Sequence, residues 1–140
     1  MLDCKGLCAD SCRSPLDVSE MEAERIHELA GEPIVPGDGE RACNMLNADG
    51  RCSVYRDRPM LCRMFGASVL MPCEHGCEPA VWLDEEETIA LLAEAFNVGG
   101  DPRGGEPLDV KQIRRCARAN PGMMFEVLAA FRSGNVPPPP

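Results

Sequence analysis

The chain has few aromatic residues and no long apolar run, and each shortage excludes a class of protein. Among its 140 residues are one Trp, one Tyr and four Phe, so a core has to be built from aliphatic side chains and Met. The longest charge-free apolar stretch of note, residues 64–73, is about half as long as a membrane-spanning helix. The first residues have no basic flank and no apolar core, which predicts that there is no signal peptide. We therefore expect no membrane association and a cytoplasmic location.

Positive charge is also scarce, because 14 Lys and Arg residues stand against 23 Asp and Glu residues, for a net charge of −9. This balance disfavours a broad nucleic-acid or anionic-membrane surface, so no nucleic acid is expected and an unknown protein partner remains open.

Gly and Pro, 13 of each, indicate much turn and loop. The length fits a single domain, which we place at residues 1–133, followed by a Pro-rich tail at 134–140.

Cysteine, in contrast, is abundant. In a reducing compartment nine cysteines indicate metal binding or redox activity rather than disulfides. Eight of them precede residue 78 and are candidate metal ligands: Cys4, Cys8, Cys12, Cys43, Cys52, Cys62, Cys73 and Cys77. The first three recur every four residues and would share one face of a helix. Such thiolates suit zinc or an iron–sulfur cluster. Cys116 stands alone in a helical pattern and is predicted to be a buried, inert thiol.

Four arginines accompany these cysteines: Arg51, Arg56, Arg58 and Arg63. With Asp57 they give residues 51–63 a charge of +3 inside an acidic chain. All-cysteine metal sites are anionic, and guanidinium groups can donate to sulfur, so we predict that these arginines support the cofactor. The alternative is a solvated basic surface or a weak nucleic-acid patch.

The two histidines are weaker candidates for metal ligands. His75 lies between Cys73 and Cys77 and is either a ligand or, as we favour, a solvent-facing or supporting imidazole, because eight cysteines already fill two four-coordinate sites. His27 lies in a helical pattern and is interpreted as an ordinary helix residue.

Capping signals and hydrophobic spacing predict a mostly helical fold. Helices are expected at 19–30, with a Ser19–Glu22 capping box and a stop at Gly31, at 85–96 after Asp84, at 110–119 after Asp109, and from Pro121 onwards. Two short strands, 42–46 and 51–55, are expected to form a hairpin around the turn at 47–50. The predicted fold is a small mostly-α domain with a short β-hairpin. An irregular, metal-organised N-terminal half (about 1–80) would pack on C-terminal helices (about 84–133).

The run from Cys52 to Arg63, Cys-Ser-Val-Tyr-Arg-Asp-Arg-Pro-Met-Leu-Cys-Arg, follows Asp49-Gly50-Arg51 and resembles the core signature of the YkgJ-type cysteine-cluster proteins. That family is described as a zinc- or iron-chelating domain, and the resemblance covers residues 4–77. Cys43 and the pair Cys73 and Cys77 stand where the family pattern has further cysteines. The N-terminal run departs from it, with spacing C-x3-C-x3-C instead of C-x2-C-x2-C-C. The resemblance implies metal binding. One relative is a flagellin lysine N-methylase, but no methyl-donor site is matched in this chain.

We therefore expect a cytosolic protein that holds one or two iron–sulfur clusters through cysteine thiolates, with a redox, electron-transfer or accessory role. The alternative is a structural or interaction module that binds zinc and has no catalysis of its own. The resemblance favours iron–sulfur slightly, whereas the cysteine spacing does not decide. No Ser-His-Asp set, phosphate-binding glycine loop or HExxH motif is visible, so whether the protein is an enzyme remains open.

Overall fold

The fold is mostly helical, as predicted. The computed structural model describes residues 9–135, which contain five α-helices: α1 Glu20–Ala30, α2 Met60–Met64, α3 Glu85–Gly99, α4 Val110–Ala119 and α5 Met124–Arg132. Two short 3-10 helices, Asp10–Arg13 and Tyr55–Asp57, precede α1 and α2 respectively. Within residues 9–135, no helix is long and apolar enough to cross a membrane.

Helix α1 begins and ends where the sequence predicts. The Ser19 hydroxyl accepts a hydrogen bond from the Glu22 backbone N–H at 3.4 Å, and the Glu22 carboxylate accepts one from the Ser19 N–H at 3.0 Å. These two bonds form a capping box, which satisfies backbone donors at the helix start. Gly31 then ends the helix in the left-handed conformation at φ 77°, which glycine adopts without strain.

Three C-terminal helices form the larger core. Asp84 and Asp109 cap α3 and α4 by accepting hydrogen bonds from backbone N–H groups in the first turn, as their positions predict. Helix α3 continues to Gly99 rather than ending at residue 96. Helix α5 starts at Met124 instead of Pro121, because Gly122 has a φ of 80° that a helix does not accommodate. Apolar side chains from all three helices and from α2 fill this core: Met64, Ile89, Leu92, Ala93, Ile113, Ala117, Met124, Val127, Leu128 and Phe131.

The structure does not show the predicted β-hairpin. Within residues 9–135, β-structure is limited to two isolated bridges, and the one at the predicted position pairs Leu46 with Cys52. The backbone N–H groups of Cys43 and Asn44 donate to the carbonyl oxygens of Cys12 and Val35 instead of to a partner strand. The Asn47 N–H donates to the Arg51 carbonyl and the Ser53 N–H to the Met45 carbonyl, so antiparallel pairing is limited to the residues next to the turn and the first strand does not extend to residue 42.

A smaller core lies in the N-terminal half. Ile26, Met45 and Val54 are buried together, and Ile34, Cys43 and Cys52 pack against them. This half joins the C-terminal helices where α1 meets the end of α3. There the Glu20 N–H donates to the Gly100 carbonyl at 2.9 Å, and a Cβ on Gly99 would lie 2.5 Å from the Ser19 Oγ. The helical half thus supports the segments that carry the cysteines.

Candidate metal centre

Four cysteines from separate segments lie near one another, and we call them the convergent cysteine group: Cys12, Cys43, Cys52 and Cys62. Cys12 lies in the first 3-10 helix, and its carbonyl accepts a hydrogen bond from the Cys43 N–H at 2.8 Å. Cys43 and Cys52 pack against the Ile26 core, and Cys62 lies in α2. All four are partly buried. Backbone contacts and apolar packing therefore bring together Cys12, Cys43 and Cys52, which lie up to forty positions apart in the chain.

The electrostatics of Cys62 reflect its thiol neighbours. Burial raises the pKa of its thiol to about 12, and the neighbouring thiols of Cys43, Cys12 and Cys52 add to the rise, whereas the Arg58 guanidinium opposes it. Burial also raises the pKa of Cys43, a rise to which Cys52 adds and which a hydrogen bond from the Met45 N–H opposes. Thiolates in this group would repel one another, so a nearby cation would stabilise them.

The ligand chemistry of the convergent cysteine group fits a metal, although its side chains are not arranged around one. Among residues 9–135, no three His, Cys, Asp or Glu side chains form a group that could already hold a metal ion. Four thiolates are nonetheless the usual ligand set of structural zinc and of iron–sulfur clusters. Cys43, Cys52 and Cys62 are free thiols, and rotation about χ1 would move their sulfur atoms. The group therefore has the sulfur atoms that a metal needs, but side-chain rotation has to bring them to metal–ligand distance.

Cys73 and Cys77 form a separate loop. The Cys73 sulfur accepts a hydrogen bond from the His75 N–H at 3.4 Å, and Gly76 has a φ of 79°. Hydrogen bonds from the Cys77 backbone and from His75 hold the pKa of Cys73 below its usual value. These contacts favour the thiolate form of Cys73, in contrast to Cys43 and Cys62, whose pKa is raised.

An imidazole connects that loop with the N-terminal cysteine segment. His75 is exposed, and its Nε2 lies 2.8 Å from the Asp10 carboxylate, which raises the pKa of His75. Asp10 belongs to the same 3-10 helix as Cys12, so the loop lies beside the N-terminal segment.

The remaining candidates differ in how the structure places them. Cys116 is 2% exposed inside the larger core, which confirms the predicted burial. His27 is exposed on α1. Cys4 and Cys8, and with them the predicted shared helix face, lie outside the described residues, while Cys12 is in a 3-10 helix.

The four arginines of residues 51–63 divide into different environments. Arg58 acts on Cys62 by lowering the pKa of its thiol. Arg51, Arg56 and Arg63 are exposed. Arg63 donates hydrogen bonds to the carbonyl oxygens of Arg58 and Arg56, so it braces its own loop. The structure thus places one of the four guanidinium groups where it influences a sulfur of the convergent cysteine group.

Glu22 is a contributor to the site that sequence reasoning missed. Its second carboxylate oxygen accepts a hydrogen bond from the Met60 N–H at 2.6 Å, across 38 positions of sequence. Met60 is the first residue of α2, which carries Cys62. The capping-box pattern predicts the bonds of Glu22 within α1, but nothing in the sequence indicates this longer-range one.

Fold and site together define a small helical protein in which separate segments bring thiol ligands together. A family model, CxxCxxCC, described as "Putative zinc- or iron-chelating domain", matches residues 3–94, and the chain belongs to this family. The family resemblance is thereby confirmed, and a zinc or iron cofactor bound through cysteine is what that description supports. The matched residues include the eight candidate ligands and exclude Cys116. No curated protein and no solved structure matches the chain.

Proposed function

We propose that the protein holds one or two iron–sulfur clusters through cysteine thiolates and has a redox, electron-transfer or accessory role in the cytoplasm. The observation that carries this proposal is the convergence of Cys12, Cys43 and Cys52 on Cys62. Their partial burial would protect a bound cluster from water, and a bound iron–sulfur cluster would supply one-electron chemistry. Many free thiols suit a reducing compartment.

The cysteines divide into two proposed sites. The convergent cysteine group supplies four thiolates to the first site, with Arg58 offsetting part of their negative charge. Cys73 and Cys77 contribute to the second site, for which Cys4 and Cys8 are the remaining ligands. The Asp10–His75 contact supports this assignment, because it holds the Cys73 loop against the segment that follows Cys8. On this proposal, bound metal organises the N-terminal half.

Structural zinc is the second candidate. It is favoured by the number of thiols beside Cys62, since a set of four thiolates leaves no open coordination position for a substrate. Zinc has no redox chemistry, so such a protein would be an interaction module whose metal contributes only to folding.

Metal analysis of anaerobically purified protein distinguishes the two candidates. An iron–sulfur protein is expected to be brown, to contain iron and acid-labile sulfide in equal amounts, and to bleach in air. A zinc protein is expected to be colourless with stoichiometric zinc. Protein that contains neither metal and stays fully folded would contradict both.

A further inference from the structure

Three of the arginines form a preorganised surface with the single tyrosine, and we call it the basic face: Tyr55, Arg56, Arg58 and Arg63. The Arg63 guanidinium donates to the Arg58 carbonyl at 2.8 Å and to the Arg56 carbonyl at 3.1 Å. Arg58 donates to the Tyr55 carbonyl at 2.9 Å, and its guanidinium carbon lies 3.8 Å from the centre of the Tyr55 ring. Two of the three cationic groups are therefore fixed against their own loop.

The positive charge of the basic face is not neutralised by the fold. Within residues 9–135, none of its arginines has a carboxylate partner, and Asp57, which lies between them in sequence, pairs with Arg25 at 3.7 Å. Several arginines of the helical half are paired, as in the bonds of Arg118 with Glu86 and of Arg132 with Asp101. In a chain with 23 acidic residues, this lack of partners leaves the basic face available to an external anion.

The proposed metal site explains only part of this surface. Arg58 acts on Cys62, but Arg56 and Arg63 are exposed and Tyr55 is 55% exposed. Exposed Tyr and Arg are the residue types that contribute most to protein–protein interfaces. Because hydrogen bonds already hold the Arg58 and Arg63 side chains, binding to these two loses less conformational entropy.

We propose that the basic face docks a carboxylate-bearing surface of a protein partner beside the metal site at Cys62. The proposal rests on the proposed function, because the partner would be the protein that exchanges electrons with that site or receives its support. Two observations favour a protein over a nucleic acid. One face of the Tyr55 ring is covered by Arg58, which leaves at most one face for base stacking. Outside residues 51–63 the chain carries −12, which repels an extended polyanion.

A matched pair of charge reversals tests the docking proposal. Arg56→Glu places the change in the basic face, and Arg115→Glu makes the same change on α4. Both side chains are exposed, and within residues 9–135 neither makes a hydrogen bond or an ion pair, so both variants should fold. Binding of the metal-loaded protein to a short labelled oligoglutamate, and to an oligothymidylate of the same charge, is measured by fluorescence anisotropy. We expect the wild-type protein to bind oligoglutamate with an affinity that decreases as salt is added. The Kd should rise about tenfold in Arg56→Glu and change little in Arg115→Glu.

The results separate the docking proposal from the metal proposal. Equal losses in the two variants, no oligoglutamate binding by the wild type, or tighter binding of oligothymidylate would overturn the docking proposal. Iron and zinc are measured in the same preparations. Metal-free wild-type protein that still binds oligoglutamate through Arg56 would overturn the proposed function and retain the docking surface.

Discussion

At the scale of single residues, the surroundings of a cysteine distinguish a candidate ligand from a packing residue. Cys62 lies among other thiols and beside Arg58. Cys116, which also lies in a helix, is surrounded by apolar side chains and is 2% exposed. A free cysteine in such a core behaves as a small apolar side chain. The two residues should therefore respond very differently to substitution.

We expect Cys62→Ala to lose metal and stability together, because it removes the thiol around which the other three are grouped. Metal content should fall by one site, and the melting temperature of the metal-loaded protein should fall by about 10 °C or more. Metal analysis and thermal unfolding followed by circular dichroism measure both effects.

Cys116→Ala is the control for that prediction. It should retain its metal and lose only about 1 kcal/mol of stability, as expected for a small cavity in a packed core. Unchanged metal content in Cys62→Ala, or metal loss in Cys116→Ala, would show that the ligands are assigned wrongly.

At the scale of elements, α2 depends on a contact from α1. This helix has only five residues, and its N-cap position is Pro59, for which no side-chain cap is present. A helix this short is not stable by itself. The Glu22 carboxylate, which accepts the Met60 N–H, is the group that caps its first turn and fixes its position relative to α1.

We predict that Glu22→Gln weakens metal binding by displacing α2. Glu22 accepts hydrogen bonds through both carboxylate oxygens, from Ser19 through one and from Met60 through the other. Glutamine has only one acceptor oxygen, so one of these contacts is lost, at a cost of about 1–3 kcal/mol. Cys62 should become more reactive toward iodoacetamide in metal-free protein, and the metal-loaded protein should release its metal faster to a chelator.

Glu24→Gln is the matched control, because Glu24 lies exposed on the same helix. It should leave both rates unchanged. If Glu22→Gln lowers overall stability but alters neither the alkylation of Cys62 nor metal release, then Glu22 supports the fold without positioning the site.

The elements that sequence reasoning predicts correctly are those specified by local signals. Ser19 with Glu22, Asp84 and Asp109 cap their helices through hydrogen bonds to residues a few positions away. Such contacts are encoded by spacing alone. The same reasoning extends the last helix too far at its start, because the left-handed Gly122 separates Pro121 from Met124.

The features that the sequence does not predict depend on contacts between segments far apart in sequence. The turn at 47–50 forms with Gly50 at φ 83°, yet no strand precedes it, because Cys43 donates to Cys12 across 31 positions. Helix α2 is too short to show hydrophobic periodicity, and its position depends on the hydrogen bond from the Met60 N–H to Glu22. For the site, cysteine spacing identifies the candidate ligands, but the grouping of Cys12 with Cys43, Cys52 and Cys62 depends on those same distant contacts.

At the scale of the whole molecule, an ion-pair network fastens the N-terminal half to the last helix. Arg132 on α5 has a side chain only 5% exposed, and it donates two hydrogen bonds of 2.6 Å to the Asp101 carboxylate. It also bonds to Asp17, which precedes α1. Its guanidinium carbon lies 3.9 Å from the centre of the Phe96 ring. A two-point carboxylate contact around a buried guanidinium is among the stronger charge interactions in proteins.

This network predicts a specific loss of stability in acid. Hydrogen bonds from Arg132 hold the pKa of Asp101 below 3.8, so the folded protein keeps this carboxylate ionised at lower pH than the unfolded chain does. A lowered pKa contributes stability that is fully present above the unfolded value and is lost as pH falls through the folded value. Asp101→Asn should therefore lower the free energy of unfolding by about 2 kcal/mol near neutral pH, and the deficit should shrink below about pH 4. Urea unfolding of both proteins across this pH range measures the difference. Glu94→Gln is the control, because Glu94 is exposed, and its free energy of unfolding should differ little from that of the wild type at any pH in this range. A deficit for Asp101→Asn that stays constant to about pH 2 would mean that the carboxylate contributes through packing rather than through its charge.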